Sequence, residues 1–129
     1  MKLYSYNQNS DGAKALAEAL GIKRIKHEGK KLQIKGGVLN WGASEIKRDI
    51  AHDGIINCPS RVKVASNKLH SFQAFGKAAW VPKWTDDEET AAMWHADGQD
   101  VVIRHKLTGH SGEGIEIIAK DKPFEAKKA

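Results

Sequence analysis

Residues 2–21 read KLYSYNQNSDGAKALAEALG, and this stretch decides the fold. Leu3 and the aromatic Tyr4 and Tyr6 are set among polar residues, which predicts a short strand over Lys2 to Asn7. Ser10 then stands where an N-cap belongs, Ala13, Leu16, Ala17 and Leu20 recur at helical spacing, and Gly21 occupies the C′ position. A strand feeding directly into an amphipathic helix is the opening of an α/β layer.

Outward from there, Ile22 to Lys26 and Lys31 to Lys35 are short, basic and isoleucine-rich, as strands or a strand and a loop would be. Val38 to Trp41 is an apolar run closed by Gly42, and Ser44 to Ile50 has room for one or two helical turns. Gly54 to Cys58 predicts a buried strand that stops at Pro59. Strand, helix, strand, short helix, strand predicts a small α/β fold with parallel pairing.

The character changes near residue 60. Ser66 is placed to cap a helix carrying Leu69, Phe72 and Phe75 and stopped by Gly76. Trp80 to Trp84 reads as extended, with Pro82 assigning it to an edge or bulge. Thr85 and Glu88 have capping-box spacing, and Asp86, Asp87, Glu88 and Glu89 crowd the first turn of a helix expected to run to Ala96. Val101 to Leu107 and Ile115 to Ala119 predict two strands around the glycine-rich connection Thr108 to Gly114, and a charged tail follows from Lys120.

The 129 residues are 40% hydrophobic and 29% charged, enough for a packed core and too apolar for disorder throughout. Apolar runs such as Val101-Val102-Ile103 are far too short to span a bilayer, and the opening residues lack the apolar core of a signal peptide. The single cysteine, Cys58, excludes an internal disulfide and a Cys-rich zinc site. The expectation is a cytoplasmic protein. The formal net charge of +5 suits an anionic partner without choosing among nucleic acid, an acidic protein and a phosphorylated small molecule.

The spacing Gly109-x-x-Gly112-x-Gly114 is the strongest local signal for chemistry. Glycines let backbone N–H groups approach a phosphate closely. No Gly-Lys-Ser/Thr ending follows, so this is not a Walker loop; a strand follows where a dinucleotide fingerprint needs a helix. The alternatives are a flexible hairpin that folds over phosphates and an ordinary mobile hairpin. Arg104, with Lys106 on the same strand face, could reach a phosphate or simply be solvated. Lys68 falls in the first turn of its helix, where a cation opposes the dipole and a phosphate would relieve it. His110 could touch a ligand from the loop, but the six histidines show no metal-ligand spacing. Cys58 fits a small core residue better than a nucleophile, since no base can be assigned to it. The run Lys23, Arg24, Lys26, His27, Lys30, Lys31, Lys35 could be a nucleic-acid footprint or a solvated face, and it holds no interleaved aromatic for stacking. Trp41 and Trp94 fit core packing best among the four tryptophans.

Taken in order, Asn67-Lys68, Val101-Val102-Ile103-Arg104 and Thr108-Gly109-His110-Ser111-Gly112-Glu113-Gly114-Ile115 resemble the first half of an ATP-grasp protein. The match is to ATP-grasp-like proteins of tailed bacteriophages, similar to glutathione-synthetase-type carboxylate–amine ligases. Tyr4 to Asn7, the helix from Ser10, Asn40-Trp41-Gly42 and Ile56-Asn57-Cys58-Pro59 fit the same arrangement. The resemblance implies a pre-ATP-grasp α/β layer over residues 1–60 and the first, small ATP-grasp α+β lobe over 61–129. It implies ATP as ligand, with Lys68, Arg104 and Lys106 on the phosphates, Gly109, His110, Ser111, Gly112 and Gly114 as a flap, and Val101 to Ile103 walling the adenine. The family's magnesium ligands lie in a second large lobe, and nothing resembling that lobe occurs before Ala129. The expectation is therefore a truncated, ligase-like chain that binds ATP, with Mg2+ held outside it, and is not a competent ligase alone. The rival expectation is a non-catalytic bacteriophage protein, in the host cytoplasm, that binds a host protein or nucleic acid.

Overall fold

The computed structural model describes residues 1–76, 78 and 80–125; the end of the charged tail, 126–129, lies outside the described residues. The chain divides into two compact units, Met1–Ala65 and Ser66–Ala129.

The N-terminal unit is built on four parallel strands. β1 (Lys2–Ser5) leads through α1 (Asp11–Leu20) to β2 (Lys23–Arg24), which returns beside it. A two-stranded parallel ribbon is formed by β3 (Leu32–Gln33) with β5 (Ile50–Ala51). β4 (Gly37–Trp41) pairs with the other side of β1, and β6 (Gly54–Ile56) follows at the edge, giving the order β2-β1-β4-β6. Alternation along the strands sends successive residues to opposite faces. Leu3 meets Ala13 and Ala17 of α1, with Leu16, Ile22 and Leu39 around them. Tyr4 faces the other way, into Ile25, Ile34, Val38 and Ala43, and the ribbon covers that second face through Leu32 and Ile50. Mixed α/β architecture with a parallel sheet is thus observed.

Local chemistry explains α1. Ser10 Oγ accepts from Ala13 N, Asp11 sits in the first turn, and Gly21 adopts φ +64° so that its N–H and that of Ile22 close on the last carbonyls. Asn40, fully buried, is the polar pin of the sheet. Its Nδ2 donates to the carbonyls of Ala43 and Asn57, both at 2.7 Å, and its Oδ1 accepts from Ala43 N.

In this unit the structure departs from two sequence expectations and adds one helix. Residues 44–49 form no helix. Ile46 and Ile50, four apart as in a helix, reach the core from a bent, non-helical path, in which Asp49 O accepts from Leu32 N and Lys47 N donates to the Tyr4 hydroxyl. The strand at 54–56 is an edge strand, with Gly54 and Ile56 exposed, rather than a buried one. Pro59 opens a helix, α2 (Pro59–Ser66), whose first turn closes on the Cys58 carbonyl. That helix carries no buried residue, hence no apolar stripe to read.

The C-terminal unit holds α3 (Lys68–Phe75), α4 (Glu88–Ala96) and an antiparallel hairpin of β7 (Val101–Arg104) and β8 (Ile115–Ile118). Asn67, not Ser66, caps α3, its Oδ1 accepting from His70 N. Asp87, not Thr85, caps α4: its carboxylate accepts from Thr90 N and Oγ1, while Thr85 Oγ1 accepts from Asp87 N. The Thr90 hydroxyl, then its amide, holds the Asp87 carboxyl below its ordinary value. Residues 80–84 belong to no sheet; Trp84 stacks on Phe72 and Lys83 lies over the Trp94 ring at 4.2 Å. The buried centre is small: Val101, Ile118 and His95, whose Nε2–H donates to Ala119 O at 2.9 Å. Among the described residues no helix is long and apolar enough to cross a membrane.

Candidate functional site

The hairpin β7–β8 positions most of the residues singled out in the sequence. Register pairs Val101 with Ile118, Val102 with Ile117, Ile103 with Glu116 and Arg104 with Ile115. Residues directly opposite share a face. Val101 and Ile118 turn inward and are buried. Val102, Arg104, Ile115 and Ile117 form the other face, which is exposed. Arg104 therefore stands on an open apolar bed, with Ile117 70% and Val102 55% exposed.

The connection beyond β7 is folded on itself. His105 N donates to Gly114 O, Glu113 N to His110 O and Ile115 N to Gly112 O. A Cβ on Gly109 would stand 2.5 Å from the Glu113 carbonyl oxygen, and one on Gly114 would stand 2.9 Å from Lys106 N. Those two glycines are required by close backbone approach within the loop. Gly112 has open space around it but φ +83°, and Ser111 beside it has φ +50°. His110 and Ser111 are exposed at the tip.

Lys106 is not a solitary cation. Its ammonium donates to the Glu113 carboxylate across the loop. That hydrogen bond first, and the Lys106 charge second, hold the Glu113 carboxyl below the usual carboxylate range. On the inward side His105 Nε2 meets Glu116 Oε2 at 2.8 Å.

Lys68 is distant in sequence from the hairpin but is brought to it by its backbone, since Lys68 N donates to Leu107 O at 2.9 Å. The first residue of α3 thus lies against the hairpin's connection. Lys68 therefore starts beside the connection that carries Lys106 and the Gly109 to Gly114 loop, while Arg104 ends β7 on the open face. Sequence reasoning misses the pairing of Glu113 with Lys106 and the exposed apolar bed. Both follow once the two strands are paired about the loop, because register fixes which residues face each other.

Other candidates fall elsewhere. Cys58 is half-buried rather than in the core, with Sγ 3.2 Å from Ser60 Oγ, and the Ser60 hydrogen bonds, side chain first, lower its thiol pKa. Trp41 is exposed rather than packed in the core. Among the described residues, no three of His, Cys, Asp and Glu gather as a metal site would need. A scan of protein-family models and searches of the curated proteins and the solved structures return no match to this chain.

Proposed function

We propose that the C-terminal unit binds the phosphates of ATP as an ATP-grasp-like half-site, with Lys68 and Arg104 as phosphate ligands and Gly109 to Gly114 as the flap. The observation that supports this reading is the Lys68 N to Leu107 O hydrogen bond, which sets the first residue of α3 beside the point where the chain enters the glycine loop. The exposed bed of Val102, Ile115 and Ile117 beside Arg104 offers the base an apolar surface. Arg104 supplies a planar fork of donors, and the loop supplies backbone N–H groups. Lys106 joins them only by leaving Glu113.

Calorimetric titration with ATP tests the reading. Saturable binding that weakens about tenfold or more in Arg104→Ala and Lys68→Ala, with unchanged melting, is the expected result. Equal affinity in both variants contradicts the assignment.

A second reading has its own observation. Trp80 is fully exposed, and Met93, Val102 and Ile117 are more than half exposed, all in the C-terminal unit. Such surface also suits a protein partner. Binding of that kind would persist in Arg104→Ala.

A further inference from the structure

The basic run of the N-terminal unit has no aromatic within it, but parallel pairing supplies two. Tyr6 follows β1, Trp41 ends β4, and Tyr6 N donates to Trp41 O at 3.0 Å. Both rings are exposed, and each lies on a glycine: a Cβ on Gly42 would stand 3.3 Å from the Tyr6 ring, and one on Gly12 3.5 Å from the Trp41 ring. At the end of β2, on the same carboxyl edge of the sheet, are Arg24 and Lys26. They line an open pocket of about 240 Å³ with Ser5, Gln8 and Asn9. Arg24 Nη1 donates to Gln8 O, and the Arg48 guanidinium donates to the carbonyls of Lys26 and Lys30, so cations and loop are tied in place. Lys and Arg outnumber Asp and Glu by 12 to 6 in this unit, against 9 to 10 in the other.

We propose that this carboxyl edge binds single-stranded nucleic acid, bases stacking on Tyr6 and Trp41 and phosphates meeting Arg24, Lys26 and Lys30. Crevices outside the carboxyl ends of parallel strands are where open α/β sheets bind ligands. Stacking on exposed rings requires unpaired bases, which favours a single strand over a duplex. Exposed Lys30 follows Lys26, one Arg48 guanidinium holding the carbonyls of both, so a second phosphate can be met beyond the first, which favours a polymer over a free nucleotide. The site is independent of the ATP reading, which rests on the other unit.

Fluorescence anisotropy of a labelled deoxythymidine oligomer with the full chain tests it. Expected are saturable binding that falls with salt, a salt slope smaller by about 0.7 in Arg24→Gln, and affinity reduced about fivefold or more in Tyr6→Ala and Trp41→Ala. Lys122→Ala, in the other unit, should leave the affinity for the oligomer unchanged. Since Trp41→Ala could disturb the fold, melting is followed alongside and the more exposed Tyr6 carries the decision. No binding at low salt, unchanged affinity in Tyr6→Ala, or displacement by an equal concentration of thymidine monophosphate overturns the proposal.

Discussion

The two units solve the problem of a small core differently. In Met1–Ala65 a parallel sheet is covered on both faces, by α1 on one and by the β3–β5 ribbon on the other, and Leu3, Tyr4, Val38 and Asn40 are essentially inaccessible. In Ser66–Ala129 a two-stranded hairpin buries one face through Val101 and Ile118 and leaves the other open. A sheet covered twice fixes its residues by packing and offers ligands its strand ends. A hairpin covered once offers a whole face and its loop.

The sharpest way to break this contrast is Asn40→Ala. It removes the partner of Ala43 N and the donor to two carbonyls, so urea unfolding should show a loss of about 3 kcal/mol. A loss below about 1 kcal/mol would mean that the sheet is not pinned there. Next comes a matched pair. Val38→Ala should cost roughly 2 kcal/mol, while Ile117→Ala on the open hairpin face should cost under about 0.5 kcal/mol. Similar costs would show that the hairpin face is covered in solution.

Two smaller effects sharpen the account of the C-terminal unit. Glu113→Gln should release Lys106 and tighten ATP about twofold to fivefold by calorimetry; weaker binding would make the ion pair part of the closed flap instead. Asp87 has a lowered folded-state pKa, so its cap contributes stability above the ordinary aspartate pKa and loses it as pH falls through the lowered value. In Asp87→Asn that acid-dependent part should vanish from melting curves between about pH 5 and pH 2, the aspartate range.

Much of the first unit is legible in the sequence because α1 and β1 carry complete local signals: Ser10, Gly21 and the alternation of Leu3 with Tyr4 agree with the packing that follows. Residues 44–50 mislead because a four-residue isoleucine spacing is met equally by a helix and by a bent segment that enters the ribbon only at Ile50. The caps at Asn67 and Asp87 are displaced from their expected places by one and two residues because several adjacent side chains could accept the same N–H groups. In the site, the glycine loop and Arg104 are visible as residue types. The Lys106–Glu113 pair and the meeting of Tyr6 with Trp41 instead depend on strand pairing between separate segments.

The most direct test of the central claim is an amide-shift map of the labelled chain titrated with ATP. The account predicts shifts at Lys68, Arg104 and residues 109–114. Shifts confined to Met1–Ala65, or none at millimolar ATP, would contradict it.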